Sequence, residues 1–199
     1  MKAAVIGESG LEIRDAMIPR PKPSEVLVEV RAAGLNRADL LMAAGRFHGS
    51  HGGAGVVAGL EWAGEVVEVG REVTNVKPGD RVMCAGAGGY AEFAVCDWGR
   101  AMVIPANNMT YEQAATLPVA LATMHDAVVT NGRLSAGETV LIQGASSGVG
   151  LMGMQIARRM GAKLVIGTST NAERRARLPE FGADLALDSA DPDWPNQAM

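Results

Sequence analysis

The segment Thr139-Val-Leu-Ile-Gln-Gly-Ala-Ser-Ser-Gly-Val-Gly150 runs from an apolar stretch into a glycine-rich turn and then into a helical pattern. Nothing else in the chain restricts its fold so much. Val140 to Ile142 are continuously apolar, the character of a strand buried on both faces in a parallel sheet covered by helices. Gly144, Gly148 and Gly150 let the backbone turn sharply and approach a pyrophosphate, which the first N–H groups of the following helix hold. Ser146 and Ser147 are small enough for that approach, their hydroxyls suit phosphate oxygens, and Val149 stands at the start of the helix. Val149, Met152, Gly153, Ile156, Ala157 and Met160 recur at three- and four-residue steps, which predicts the face that packs on the sheet. Lys163-Leu-Val-Ile-Gly-Thr168 reads as the second strand and completes the strand–helix–strand unit that a dinucleotide fingerprint requires. A tight turn without a ligand is the other account of the glycines.

Sites for NAD carry Asp or Glu about 20 residues beyond the glycines, on the ribose 2′-hydroxyl. Here that place reads Gly167-Thr-Ser-Thr-Asn171, without an acid. The hydroxyls of Thr168, Ser169 and Thr170, with Arg174 and Arg175 in the next helix, suit a 2′-phosphate instead, so NADPH is the expected cofactor. The alternative for the arginines is a solvated helix face.

A net charge of -4 over 199 residues leaves no basic stripe for nucleic acid, so small-molecule partners are expected. Cys84 and Cys96 make no disulfide framework, and both are expected reduced and buried. The apolar run Met1 to Ile6 is too short for a signal peptide, and no stretch reaches the length needed to cross a bilayer. A cytoplasmic location is expected.

Residues 1 to about 105 read as short strands between turns, which suggests a small barrel or sandwich. Glu25-Val-Leu-Val-Glu-Val-Arg31 alternates as a strand with one wet face, and similar runs cover 62–69, 81–84, 90–95 and 101–104. Lys77-Pro-Gly-Asp80 is a turn. Thr110-Tyr-Glu-Gln113 has the form of a capping box and starts a helix. A second helix is predicted from about Pro118 to Asn131-Gly132, with glycine as a left-handed cap.

These residues resemble the quinone oxidoreductases, the zinc-free branch of the medium-chain dehydrogenase/reductase superfamily. The resemblance rests on Ala32-Ala-Gly-Leu-Asn-Arg-Ala-Asp-Leu40, Gly59-Leu-Glu-Trp-Ala-Gly-Glu65, Lys77-Pro-Gly-Asp-Arg-Val82, Leu117-Pro118 and Gly144 to Gly150. It implies an α/β chain: a GroES-like β-barrel domain over 1–115, then a linking helix and the first half of a Rossmann domain over 116–199. It also implies NADPH as hydride donor and a quinone or other conjugated carbonyl as acceptor, with enoyl-thioester reduction as a related chemistry. The turn resembles that of short-chain dehydrogenases too, but that fold places it near the N-terminus, and no Tyr-x-x-x-Lys pair occurs here.

Catalytic zinc takes three protein ligands. By the resemblance, Asn36 and Leu60 stand where zinc-dependent relatives carry Cys and His, and no four-cysteine lobe exists. His48 and His51 lie three residues apart as a conceivable weak metal site, but no bound metal is expected. The resemblance places Asn36, Arg37 and Asp39 in the loop lining the nicotinamide side of the cleft, with Asn36 orienting cofactor or acceptor. Asp39 has an equal reading as a helix cap. Thr123 matches a position beside the nicotinamide, with a bond to its own backbone as the alternative. Phe47 stands where many relatives have Tyr, and Tyr90 follows Gly86-Ala-Gly-Gly89, near the cleft by the same resemblance, with an ordinary strand residue as the alternative.

From Thr139 to Met199 there is room for about two strand–helix units, where a doubly wound domain has six strands. A truncated, non-catalytic NADPH-binding or partner-binding protein is therefore the second expectation. Self-association or poor solubility through an unpaired sheet edge goes with it.

Overall fold

The computed structural model describes residues 1–46, 52–106 and 108–199. Phe47, His48 and His51 lie outside the described residues. The chain divides into two compact units, Met1–Val119 and Ala120–Met199.

The first unit is built on an antiparallel sheet of β3 (Glu25–Ala33), β4 (Glu61–Val69), β5 (Arg81–Ala85), β6 (Phe93–Asp97) and β7 (Ala101–Val103), in the order β6-β3-β4-β5-β7. Val26, Val28, Trp62, Val66, Val82, Cys84 and Cys96 fill its core. Both cysteines are free and buried; hydrogen bonding to Cys96, together with burial, pushes the Cys84 thiol well up. The turn at Lys77-Pro-Gly-Asp80 forms as expected, with Gly79 at φ 90° and the Asp80 N–H donating to the Lys77 carbonyl (3.1 Å). A hairpin of β1 (Lys2–Ile6) and β2 (Leu11–Asp15) adds a two-stranded sheet. The short apolar run Met1 to Ile6 is thus a strand, and the Gly7-Glu-Ser-Gly10 turn that joins it to the next five-residue run is the local signal for the pairing.

Short α-helices also belong to this unit. α1 is Arg37–Ala43, and α2 is Tyr111–Ala115. The capping box on α2 is present, Gln113 N–H donating to Thr110 Oγ1 (3.2 Å) and Thr110 N–H to Gln113 Oε1 (3.0 Å).

The second unit carries a parallel sheet of β8 (Thr139–Ile142), β9 (Leu164–Thr168) and β10 (Leu185–Leu187), ordered β10-β9-β8. β9, in the middle, is the buried strand. Against the expectation that β8 is buried on both faces, Thr139 and Leu141 are exposed and only Ile142 is buried. The reason is topological, since β8 is the edge of this sheet and apolar composition does not record strand order. α4 (Gly148–Arg159) buries Gly150, Gly153, Met154 and Ala157; Gly153 and Ala157 belong to the predicted stripe and Ile156 packs against the same core, whereas its two ends, Val149 and Met160, are exposed. Gly150 lets the backbone itself make a close contact, so the buried face reaches Gly150 and Met154 beside the shared Gly153 and Ala157. Asp184 staples α4 to β9, accepting from Val165 N–H (2.8 Å) and pairing with Arg158; these two bonds, the backbone one first, hold its carboxyl below the usual range.

The helix predicted to end in a left-handed glycine differs too. α3 (Pro118–His125) continues into a π-helical segment, Asp126–Asn131. Gly132 is right-handed (φ -70°) and Arg133 takes the left-handed conformation (φ 51°). Glycine serves there because its N–H donates to Ala127 O (2.9 Å) while an added Cβ would lie 2.6 Å from that oxygen. Among the described residues no helix is long and apolar enough to cross a membrane.

Candidate functional site

In the second unit the turn after β8 is assembled from backbone and hydroxyl groups. Gly144 takes φ 64°, and its N–H faces Thr168 Oγ1 at 3.3 Å. Ser147 caps α4: its hydroxyl donates to Gly144 O (2.9 Å) and accepts from Gly150 N–H (3.2 Å). Ser147 O accepts from Leu151 (2.9 Å), and the N–H groups of Gly148 and Val149 have no partner among the described residues. Both residues are exposed. Two outward N–H groups on the first turn of a 12-residue helix give this terminus the donors and the partial positive charge that suit an anion.

The hydroxyls predicted at the ribose divide. Thr168 is wholly buried and spends its side chain on Gly144, so it builds the turn and is closed to a ligand. Ser169 is also buried, with its hydroxyl 2.9 Å from that of Ser146. Thr170 and Arg174 are exposed. Ser146 and Arg174 line a 180 Å³ pocket with Leu151, Arg177 and Phe181. Arg175 is committed to Ser169 O (2.8 Å) and Asp188 (2.9 Å) and is structural. Thr123 is exposed on α3.

In the first unit the loop before α1 is held by two buried carboxylates. Asn36 N–H donates to Asp39 Oδ2 (2.7 Å) and Asp39 N–H to the Asn36 carbonyl (3.0 Å), so Asp39 does cap α1. Asp39 Oδ2 also accepts the Tyr90 hydroxyl (2.6 Å). Asp39 Oδ1 is buried and unpartnered among the described residues. Glu61, on β4, accepts from Asn36 Nδ2 and from Val119 N–H, each at 2.8 Å. Gly34 is obligatory here, since a Cβ would lie 2.6 Å from Glu61 and 2.5 Å from Ala115 O. Arg37 is exposed on the first turn of α1. Tyr90, placed near the cleft by the resemblance, and Glu61, to which the sequence assigns no role, join Asn36 and Asp39 here. Asp39 at N3 of a helix is visible as a cap, but no local pattern links Tyr90 to it across 51 residues.

Burial, and then the Asp39 carboxylate, push the Tyr90 phenol up from its ordinary value. A raised folded-state value means that this stability is fully present below about pH 10 and is lost as pH rises beyond it. Thermal melts from about pH 9 upward should show a steeper alkaline loss for the wild type than for Tyr90→Phe.

The alcohol dehydrogenase GroES-like domain family matches residues 22–106, and the zinc-binding dehydrogenase family matches residues 148–199. The chain is 36% identical over 171 residues to a quinone oxidoreductase of Sus scrofa, covering 85% of this chain and 51% of that protein. It is 34% identical over 189 residues to a phenolphthiocerol/phthiocerol polyketide synthase of Mycobacterium tuberculosis, covering 95% of this chain and 8% of that one. The crystal structure of Escherichia coli quinone oxidoreductase complexed with NADPH superposes with a TM-score of 0.85 at 26% identity, over 99% of this chain and 61% of that one. The chain thus spans about half the length of the quinone oxidoreductase it matches. With a GroES-like domain, a parallel sheet bearing a glycine turn and these relatives, the chain belongs to the medium-chain dehydrogenase/reductase superfamily of oxidoreductases and is similar to its quinone oxidoreductases.

Proposed function

We propose that the chain acts as an NADPH-dependent reductase of quinones or other conjugated carbonyl compounds, without zinc. The observation that carries this reading is the α4 terminus, where Gly148 and Val149 offer unpartnered N–H groups beside a β9 end that has no acid. These two amides and Ser146 hold the pyrophosphate, and Thr170 and Arg174 take the 2′-phosphate. Thr123 and Arg37 are further cofactor contacts, Asn36 orients the ligand, and Asp39 fixes the Asn36 loop. NADPH, when bound, supplies the hydride. The NADPH complex of the Escherichia coli relative supports the choice of cofactor.

The donor set does not fit zinc. Both oxygens of Glu61 are occupied by N–H donors, and no group of three or more His, Cys, Asp or Glu among the described residues is arranged to hold a metal. With no ligand set for a Lewis acid, the acceptor must already be electrophilic, as a quinone or enone is through its own conjugation. An enoyl thioester meets the same demand, and the polyketide synthase similarity favours it as a second reading. Among the described residues β8 pairs only with β9 and exposes Leu141, which supports self-association.

A fluorescence titration of the purified chain with NADPH, with NADH as control, tests the reading. NADPH-selective binding that falls about tenfold in Arg174→Ala, the loss of one charge-assisted contact, is the expected result. Binding of neither cofactor overturns it. Binding without turnover of quinones, enones or enoyl thioesters leaves a non-catalytic NADPH-binding protein.

A further inference from the structure

Glu61 is 4% exposed, yet both of its oxygens are satisfied, one by the side-chain amide of Asn36 and one by the Val119 N–H. An ionised carboxylate only accepts hydrogen bonds, so the atom Asn36 turns toward it is Nδ2. The backbone of Asn36 is fixed as well, through its N–H to Asp39, whose carboxylate Tyr90 holds in turn. We infer that Glu61 is a positioning residue for Asn36: it holds Nδ2 inward, so that the carbonyl Oδ1, which also faces the Asp39 N–H in the capping box of α1, is the acceptor Asn36 offers to a ligand. The ligand group that fits is a hydrogen-bond donor, such as a carboxamide –NH2 or a sugar hydroxyl. The negatively charged oxygen of a reduced acceptor does not fit it. The assignment of that donor to NADPH rests on the function proposed above, whereas the orientation of the amide does not.

The test is an exchange of the two side chains, read by thermal melting and by NADPH titration. Asn36→Asp sets a second carboxylate against Glu61. Glu61→Gln turns an –NH2 toward one of two N–H donors. In Asn36→Asp/Glu61→Gln the introduced glutamine donates to the introduced aspartate and still accepts from Val119, leaving an aspartate oxygen as the outward acceptor. Each single variant is expected to melt lower and to bind NADPH about tenfold more weakly, the scale of one lost hydrogen bond. The double variant should return to within about twofold of wild-type affinity and regain most of the melting temperature. Losses that simply add in the double variant overturn the inference. So does an Asn36→Asp protein that melts like the wild type, because the Asn36 amide would then not be held by donating to Glu61. If the wild type binds no NADPH, the proposed function fails, and recovery of the melting temperature alone decides how the amide is set.

Discussion

Trp62→Ala is expected to cost the first unit about 3–5 kcal/mol, the range for removing a buried tryptophan and leaving a cavity. Trp62 is wholly buried on β4 in the centre of the sheet's core, among Val26, Val66, Val82 and Cys84. Gly86 and Gly89 pack on the indole so closely that a Cβ on either would lie 3.0 and 2.8 Å from ring carbons. No smaller side chain refills that space without moving the loop. Trp62→Phe is expected to cost much less than the alanine variant. The indole N–H is buried without a partner among the described residues, a defect of about 1–3 kcal/mol that phenylalanine removes and that offsets part of the lost volume. Urea unfolding of the three proteins checks the order. Equal losses for phenylalanine and alanine would mean that the indole N–H finds a partner, such as a water. Because Gly89 rests on the ring and precedes Tyr90, the alanine variant should also loosen the Tyr90 clamp on Asp39.

Gly150→Ala is the second large effect, and its neighbours make it specific. A Cβ at Gly150 would lie 2.6 Å from Ala145 Cα and 2.7 Å from Gly144 O. These are backbone atoms of the turn, so the start of α4 must shift away from the strand that precedes it. The expected cost is about 3 kcal/mol, at the upper end for overpacking, with loss of NADPH binding because the Gly148 and Val149 N–H groups move with the helix. Gly148→Ala should be nearly neutral for stability, as nothing lies within 4 Å of a Cβ there. Gly144→Ala should fall between, its cost being the strain of a left-handed conformation, about 1–2 kcal/mol. Thermal melts with an NADPH titration on the three variants check the ranking. A neutral Gly150→Ala would show that the turn has slack the geometry does not suggest.

Both kinds of sheet, the glycine turn and its helix, the α2 capping box and the Lys77–Asp80 turn are legible in the chain's own residues. Each depends on chemistry within a few positions: a side chain that caps its own helix, a proline and glycine that suit one turn, a run of apolar residues that seeks cover. Which strand is central is another matter, because burial of β8 depends on what pairs with it and not on Val140, Leu141 and Ile142 themselves. Gly153 and Ala157 on the buried face of α4 are legible in the three- and four-residue repeat, but Gly150 and Met154 wait on the fold, since a glycine marks a close approach only when the opposing backbone is in place. The same holds for the ribose end of the turn, where Thr168 and Thr170 look alike in sequence but one is sealed under Gly144 and the other is open. Asn36 and Asp39 can be named from the sequence, but what holds them cannot. Glu61 lies 25 residues from Asn36 and Tyr90 lies 51 from Asp39, and such partnerships exist only once the folded sheet has brought those distant segments together.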